Sequence, residues 1–170
     1  MLKKISLSLL LGSLFIVPAA MAASQTGTAQ VTAFSDPTIT EDIVVEFGLI
    51  PPTVGTTCSI DVSGALTAGP CLGTQAAGQF TISALLASSA LTLTVTGASS
   101  GGSEVTYVAS ASAADGTTTL PLTDGAGSTF TTTGVPADIV ITTFGSMSVN
   151  SALTPGVQYQ VTYTVDVVYN

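Results

Sequence analysis

Gly156-Val157-Gln158-Tyr159-Gln160-Val161-Thr162-Tyr163-Thr164-Val165-Asp166-Val167-Val168-Tyr169-Asn170 is the stretch on which the fold turns. After Gly156 every odd position carries Val or Tyr, and every even position except Val168 is polar. A period of two sends alternate side chains to opposite faces of an extended backbone, so the stretch reads as a half-buried β-strand. It is about twice the usual strand length, rich in β-branched and aromatic residues, and Pro155-Gly156 marks a turn before it. Strand and sequence stop together at Asn170, so the reading expects an uncovered edge, which is a template for another strand.

The opposite end has a different character. Lys3 and Lys4 precede an apolar run from Ile5 to Val17, then Pro18 and the small-residue pattern Ala20-Met21-Ala22. This reads as a secretory signal peptide over residues 1–22, cut before Ala23. The run is too short for a membrane span and no stop-transfer segment follows it, so no integral membrane segment is expected after signal removal.

Those two lysines are the only basic side chains in the sequence, which also has no His. The expected mature chain of 148 residues (170 minus 22) therefore carries ten acids against no base, a formal charge of -10 before the termini. Nothing in it neutralises a phosphate, which argues against nucleic acid and anionic lipid as partners. Without His, Lys or Arg it lacks a residue that naturally titrates near neutrality and a cationic clamp for an oxyanion, and no Ser-His-Asp or Cys-His triad can form. The expectation is a non-enzyme without cofactor or metal. Glu41, Asp42 and Glu46 form the only local acid cluster, without the Asp-x-Asp loop of calcium sites.

Thr, Ser, Gly and Val dominate and no window holds a 3.6-residue apolar period with caps, so an all-β domain is expected over residues 37–170. Within it Ile43, Val45 and Phe47 alternate, then Cys58, Ile60 and Val62, then Phe80, Ile82 and Ala84. Leu91, Leu93 and Val95 follow, and a Gly-Ser turn over residues 99–103 leads to Val105, Tyr107, Ala109 and Ala111. Leu120-Pro121-Leu122 belongs at an edge, because proline cannot donate to a ladder. Phe130, Ile139 with Ile141, and Met147 with Val149 complete a set spaced as in a β-sandwich. In an exported protein Cys58 and Cys71 are expected to pair, closing a short loop.

Residues 23–36 read as an N-terminal extension. Ala29, Val31 and Ala33 are its small apolar teeth, with Thr28, Gln30 and Thr32 between them and Asp36-Pro37 interrupting it. Inserted beside the terminal strand of a neighbouring copy, such an arm would pair the bare edge, and repeated head to tail the contact builds a filament. An arm folded back on its own domain would instead complete a monomer.

The ending Val167-Val168-Tyr169-Asn170, its penultimate tyrosine, and Gly156 fourteen residues before the terminus resemble the C-terminal strand of chaperone-usher fimbrial subunits. That resemblance implies an immunoglobulin-like sandwich lacking a strand. A periplasmic chaperone supplies the strand first, and the extension of the next subunit replaces it at an outer-membrane usher. Ala29, Val31 and Ala33 would then be donor residues, and Gly156, Tyr159, Val161, Tyr163, Val165, Val167 and Tyr169 would belong to the pairing strand. Over most of its length the chain is also similar to a bacterial family of exported β-domain proteins of uncharacterised function, through Gln30-Val31-Thr32-Ala33, Phe47-Gly48, Pro155-Gly156 and Tyr169-Asn170. Many fimbrial subunits space their cysteines more widely than Cys58 and Cys71. The expected function is a structural subunit of a surface fimbria. A monomeric secreted adhesion module is the alternative.

Overall fold

A computed structural model describes residues 28–34, 36–98, 104–134 and 137–170. The signal-peptide reading and the 99–103 turn lie outside the described residues. The chain divides into two units, residues 1–33 and residues 34–170. In the first, residues 28–33 are exposed and form no strand, so the strand expected from the alternation of Ala29, Val31 and Ala33 is absent there.

Ten strands are formed by the described residues of the second unit: β1 (Thr38–Ile43), β2 (Thr57–Ile60), β3 (Leu66–Ala68), β4 (Gly78–Ser83), β5 (Ala90–Thr96), β6 (Val105–Ala114), β7 (Thr119–Thr123), β8 (Ser128–Thr131), β9 (Ile139–Val149) and β10 (Thr164–Tyr169). The described residues hold no helix and every strand pairing is antiparallel. Seven strands make one sheet, and β10, β5 and β8, in that order, make a second.

Alternation explains most of these elements. In β5, Leu91, Leu93 and Val95 are buried while Thr92, Thr94 and Thr96 point outward. In β6, Val105, Tyr107, Ala109, Ala111 and Ala113 are buried on one face. The inward residues of the two sheets share one core, in which Leu91, Leu93 and Phe130 join Ile82, Ile139 and Ile141. This is a sandwich-like arrangement. Removing such side chains from water supplies ~25 cal/mol per Å² of apolar surface, the main term opposing chain entropy.

The large sheet is organised around β9, which the sequence reading split into two strands. One side of β9 pairs with β6 in unbroken register from Val149↔Val105 to Val140↔Ala114. The other side pairs first with β4, as far as Thr143↔Gly78, and then with β2 from Gly145↔Ile60. Gly145 sits at this handover with φ 131°, and a Cβ there would overlap the carbonyl of Val108. Glycine is therefore required by both backbone and neighbour.

Other expectations shift by a few residues. The strand placed at Ile43, Val45 and Phe47 is β1, ending at Ile43, because β4 supplies its partner only over Thr38 to Ile43. Val62 leaves the face of Cys58 and Ile60 and is exposed in the β2–β3 turn. That turn is built by Asp61, whose carboxylate accepts from Ser63 Oγ, Ser63 N and Ala65 N. The Ser63 side-chain bond leads these in holding the Asp61 carboxyl below its ordinary range. Pro121 lies in β7, an edge strand that pairs only with β6. The Cys58–Cys71 disulfide is formed, with Cα atoms 5.9 Å apart.

Candidate functional site: a groove between two strand edges

The C-terminal stretch keeps its alternation of burial from Gln158 to Asn170, yet only its last part is a strand. β10 pairs with β5 from Thr164↔Thr96 to Tyr169↔Leu91. Upstream, residues 157–163 have no ladder among the described residues. The cause is β5, which stops at Thr96; beyond it Ala98 accepts from Tyr107 N on β6. Among the described residues no strand then remains beside residues 157–163 to pair with.

Side chains hold the stretch instead. Tyr159, Val161, Tyr163, Val165, Val167 and Tyr169 all pack against the buried clusters. Thr154 N donates to Tyr159 Oη at 2.9 Å, and Leu86 N donates to Tyr169 Oη at 2.8 Å. Tyr163 Oη and Thr143 Oγ1 share a hydrogen bond of 2.9 Å. Gly78 makes room for it, since a Cβ there would meet Thr143 Oγ1, Tyr163 Oη and Val45 N. Gly156 turns the chain into this run with φ 79°.

Opposite the stretch runs the other free edge. β1 pairs only with β4, and β10 only with β5. Among the described residues no strand pairing and no backbone hydrogen bond joins β1 to β10. Between the end of β1 with the segment that follows it and the run that precedes β10 is a groove of ≈ 1020 Å³, bounded by residues 41–50 on one side and 153–163 on the other, with Phe80, Tyr107 and Met147 at its base. A smaller recess of ≈ 470 Å³, lined by Phe34, Ile39, Asp166 and Tyr169 among others, lies between the remaining parts of the same two edges. Leu153 N donating to Pro52 O closes one end, and Phe34 edge-on to Tyr169, with ring centroids 5.3 Å apart, stands at the other.

The floor is aromatic. Tyr163 meets Phe80 and Tyr107 edge to face at 5.7 and 5.2 Å, and Tyr107 meets Phe47 at 5.7 Å. Tyr107 Oη donates to Phe144 O at 2.6 Å. Burial raises the Tyr107 phenol well above its ordinary value, with smaller upward contributions from Tyr163 and Asp124. Burial also raises Tyr163; the Thr143 bond opposes that rise and the Glu41 carboxylate adds to it.

β1 is exposed at every position. Ile39 and Glu41 pair with Ile82 and Phe80, so they share the inner face of the sheet, Glu41 lining the groove and Ile39 the recess. Adjacent Asp42 takes the outer face, where its carboxylate accepts from Thr81 Oγ1 at 2.6 Å. Glu41 and Asp42 thus diverge, and among the described residues no group of three His, Cys, Asp or Glu side chains could hold a metal.

Of the residues singled out in the sequence, Tyr159, Val161 and Tyr163 line the large groove; Val167 and Tyr169 line the recess. Gly156 lies at the groove's closed end. Val165 packs into the main core. Cys58 and Cys71 are bonded to each other, and neither lines the groove. Ala29, Val31 and Ala33 belong to the separate unit. Sequence reasoning missed the floor and its supports, Phe47, Phe80, Tyr107, Thr143 and Gly78, which come from segments that only the sheet pairing brings together.

No family model, no curated protein and no solved structure matches the chain at a significant level. No helix of the described residues is long and apolar enough to cross a membrane.

Proposed function

We propose that this chain is a non-enzymatic structural subunit of an extracellular filament of the fimbrial kind, assembled when the N-terminal arm of one copy enters the groove of the next. The observation that carries this reading is the groove itself. The segment from β1 to residue 50 and the run 157–169 face each other in opposite chain directions, an aromatic floor lies beneath residues 41–50 and 157–163, and among the described residues no strand pairing joins β1 to β10. One added extended segment would pair with both and cover the half-buried teeth from Tyr159 to Tyr169, which is how β-strand addition gains its stability.

The arm suits that role in charge as well as pattern. Within the extension 23–36 only Asp36, at its end, has an ionisable side chain, so the teeth Ala29, Val31 and Ala33 bring no side-chain charge to an acidic chain. On this reading the fold is an immunoglobulin-like sandwich short of one strand, exported after removal of residues 1–22. A chaperone holds the groove in the periplasm, and an outer-membrane usher presents it to the next subunit. The resemblance of the last residues to fimbrial subunits supports that sequence of partners.

A self-complete secreted adhesion module is the second reading. Its support is Phe34, near the end of the candidate arm, which already packs on Tyr169 of its own chain.

Material sheared from producing cells separates the two, viewed by electron microscopy and run in detergent with and without heating. Strand-exchanged copies dissociate slowly and give a ladder when unheated. Heating collapses the ladder to a monomer, and deleting residues 23–34 abolishes it. A single monomer band in both lanes with no filaments supports the self-complete module.

A further inference from the structure

Of the strands in the large sheet only β1 holds charged residues; β2, β3, β4, β6, β7 and β9 have none at any position. Of the two acids in β1, Glu41 lines the groove, and Asp42 lies at the outer edge, bonded to Thr81 Oγ1. Asp61 and Asp115 hold turns, while Glu46, Asp36 and Asp166 border the groove and the recess. A chain with ten acids, and with no base beyond Lys4, thus keeps the outer face of its main sheet neutral except along one edge.

That face is built of small groups. Thr57, Ser148 and Thr106 stand abreast in one row, and Ser59, Ser146 and Val108 in the next. Val108 is 48% exposed, an apolar knob among hydroxyls. Thr57 Oγ1 and Ser148 Oγ already bond to each other at 2.9 Å. A hydroxyl both donates and accepts, so a hydroxyl face is complementary to a copy of itself, as a carboxylate face is not.

We propose that the outer face of the large sheet is a copy-to-copy surface, on which two copies meet sheet to sheet about a two-fold axis, side by side and independently of the groove. Charge favours a second copy, because two acidic bodies approach here without opposing like charges. Size agrees. About four strands abreast over some ten residues give a face of roughly 700 Å², so the pair buries roughly 1,400 Å², an ordinary specific interface. Side chains no larger than Val and Thr let two such faces close to about 10 Å. Phe144, the only aromatic at the outward positions of β6 and β9, packs back against the core, which leaves no open ring there for a sugar to stack on.

Sedimentation of the chain without its leader, gel-filtered as a monomer and then concentrated, reads the contact. A concentration-dependent dimer is expected, and it tightens as salt rises, because screening relieves repulsion between the acidic bodies while the face has no ion pairs to lose. Ser110→Glu with Ser146→Glu, beside Val108 along and across the sheet, sets like charges against each other and is expected to weaken the dimer at least about tenfold. Thr94→Glu, at an outward position of β5 in the other sheet, leaves it unchanged. Copies carrying Ser110→Lys with Ser146→Lys do not pair with one another, yet at ~150 mM salt they pair with the glutamate variant and not with Thr94→Glu copies, a rescue that damaged folding does not give. A chain that stays monomeric at every concentration overturns the proposal, as does a dimer that survives the two glutamates or is lost equally with Thr94→Glu. Lysine and glutamate variants that fail to pair overturn it as well. A monomer retained by a neutral polysaccharide and released by the same glutamates gives the face to sugar and overturns it too. In each of these cases a detergent-resistant ladder keeps the filament reading, since that contact is made in the groove and this one is not.

Discussion

Tyr163 Oη lies 2.9 Å from Thr143 Oγ1, in the space that a side chain at residue 78 would need. This one contact joins the C-terminal run to the central strand of the opposite sheet across the floor of the groove. Thr143 is fully buried, and Tyr163 reaches it only because β4 begins with a glycine.

Gly78→Ala is therefore expected to destabilise the domain by about 1–3 kcal/mol through overpacking. Tyr163→Phe keeps the ring and removes only the hydroxyl, for a loss of about 1 kcal/mol. Urea unfolding followed by tyrosine fluorescence of each variant checks the order. A neutral Gly78→Ala would contradict the packing described.

The Cys58–Cys71 bridge fastens β2 to the segment that follows β3, across a separation of 13 residues. Closing a loop of that size restricts the unfolded chain, so reduction is expected to cost about 3 kcal/mol. Unfolding midpoints with and without reductant measure it, and thiol titration of the unreduced, denatured protein should find no free thiol.

Tyr107 and Tyr163 give the domain an alkaline limit. Both phenols have folded-state pKa values raised above the ordinary value, chiefly by burial. The neutral form is favoured by folding, so their contribution is fully present below the unfolded pKa of about 10 and is lost as pH rises through the folded values. Each such group can steepen the decline by up to about 1.4 kcal/mol per pH unit. Melting temperatures between pH 8 and 12 should be level at first and fall above about 10, with a shallower fall in Tyr163→Phe.

Local alternation carried much of the architecture. Leu91, Leu93 and Val95 against three threonines specify β5, the run from Val105 to Ala111 specifies most of β6, and Pro121 marks an edge. The two cysteines are joined as expected. What escaped is what depends on distant neighbours. Gly145 looks like a strand break because it interrupts the apolar pattern, yet β6 holds β9 straight through it while β4 gives way to β2 on the far side. Residues 157–163 have the same alternation as β10, and only the departure of β5 leaves them without a ladder.

The groove was legible on one side only. Tyr159, Val161 and Tyr163 could be read as a tooth row from their spacing, whereas Phe47, Phe80 and Tyr107 look like ordinary core positions until β4, β6 and β9 are paired. Glu41 gave the opposite signal, that of a solvated acid. Its place opposite Phe80 turns it toward the groove.

Trapping the arm in the groove of another copy tests the central claim most directly. Copies carrying Ala29→Cys, Val31→Cys or Ala33→Cys are each mixed with copies carrying Val161→Cys and oxidised, the native cysteines being held in their own bridge. A disulfide-linked heterodimer is expected for at least one of the three teeth, formed between different copies and suppressed by excess peptide of residues 23–35. No crosslink between copies for any tooth, together with an efficient crosslink when Val31→Cys and Val161→Cys share one chain, would contradict it.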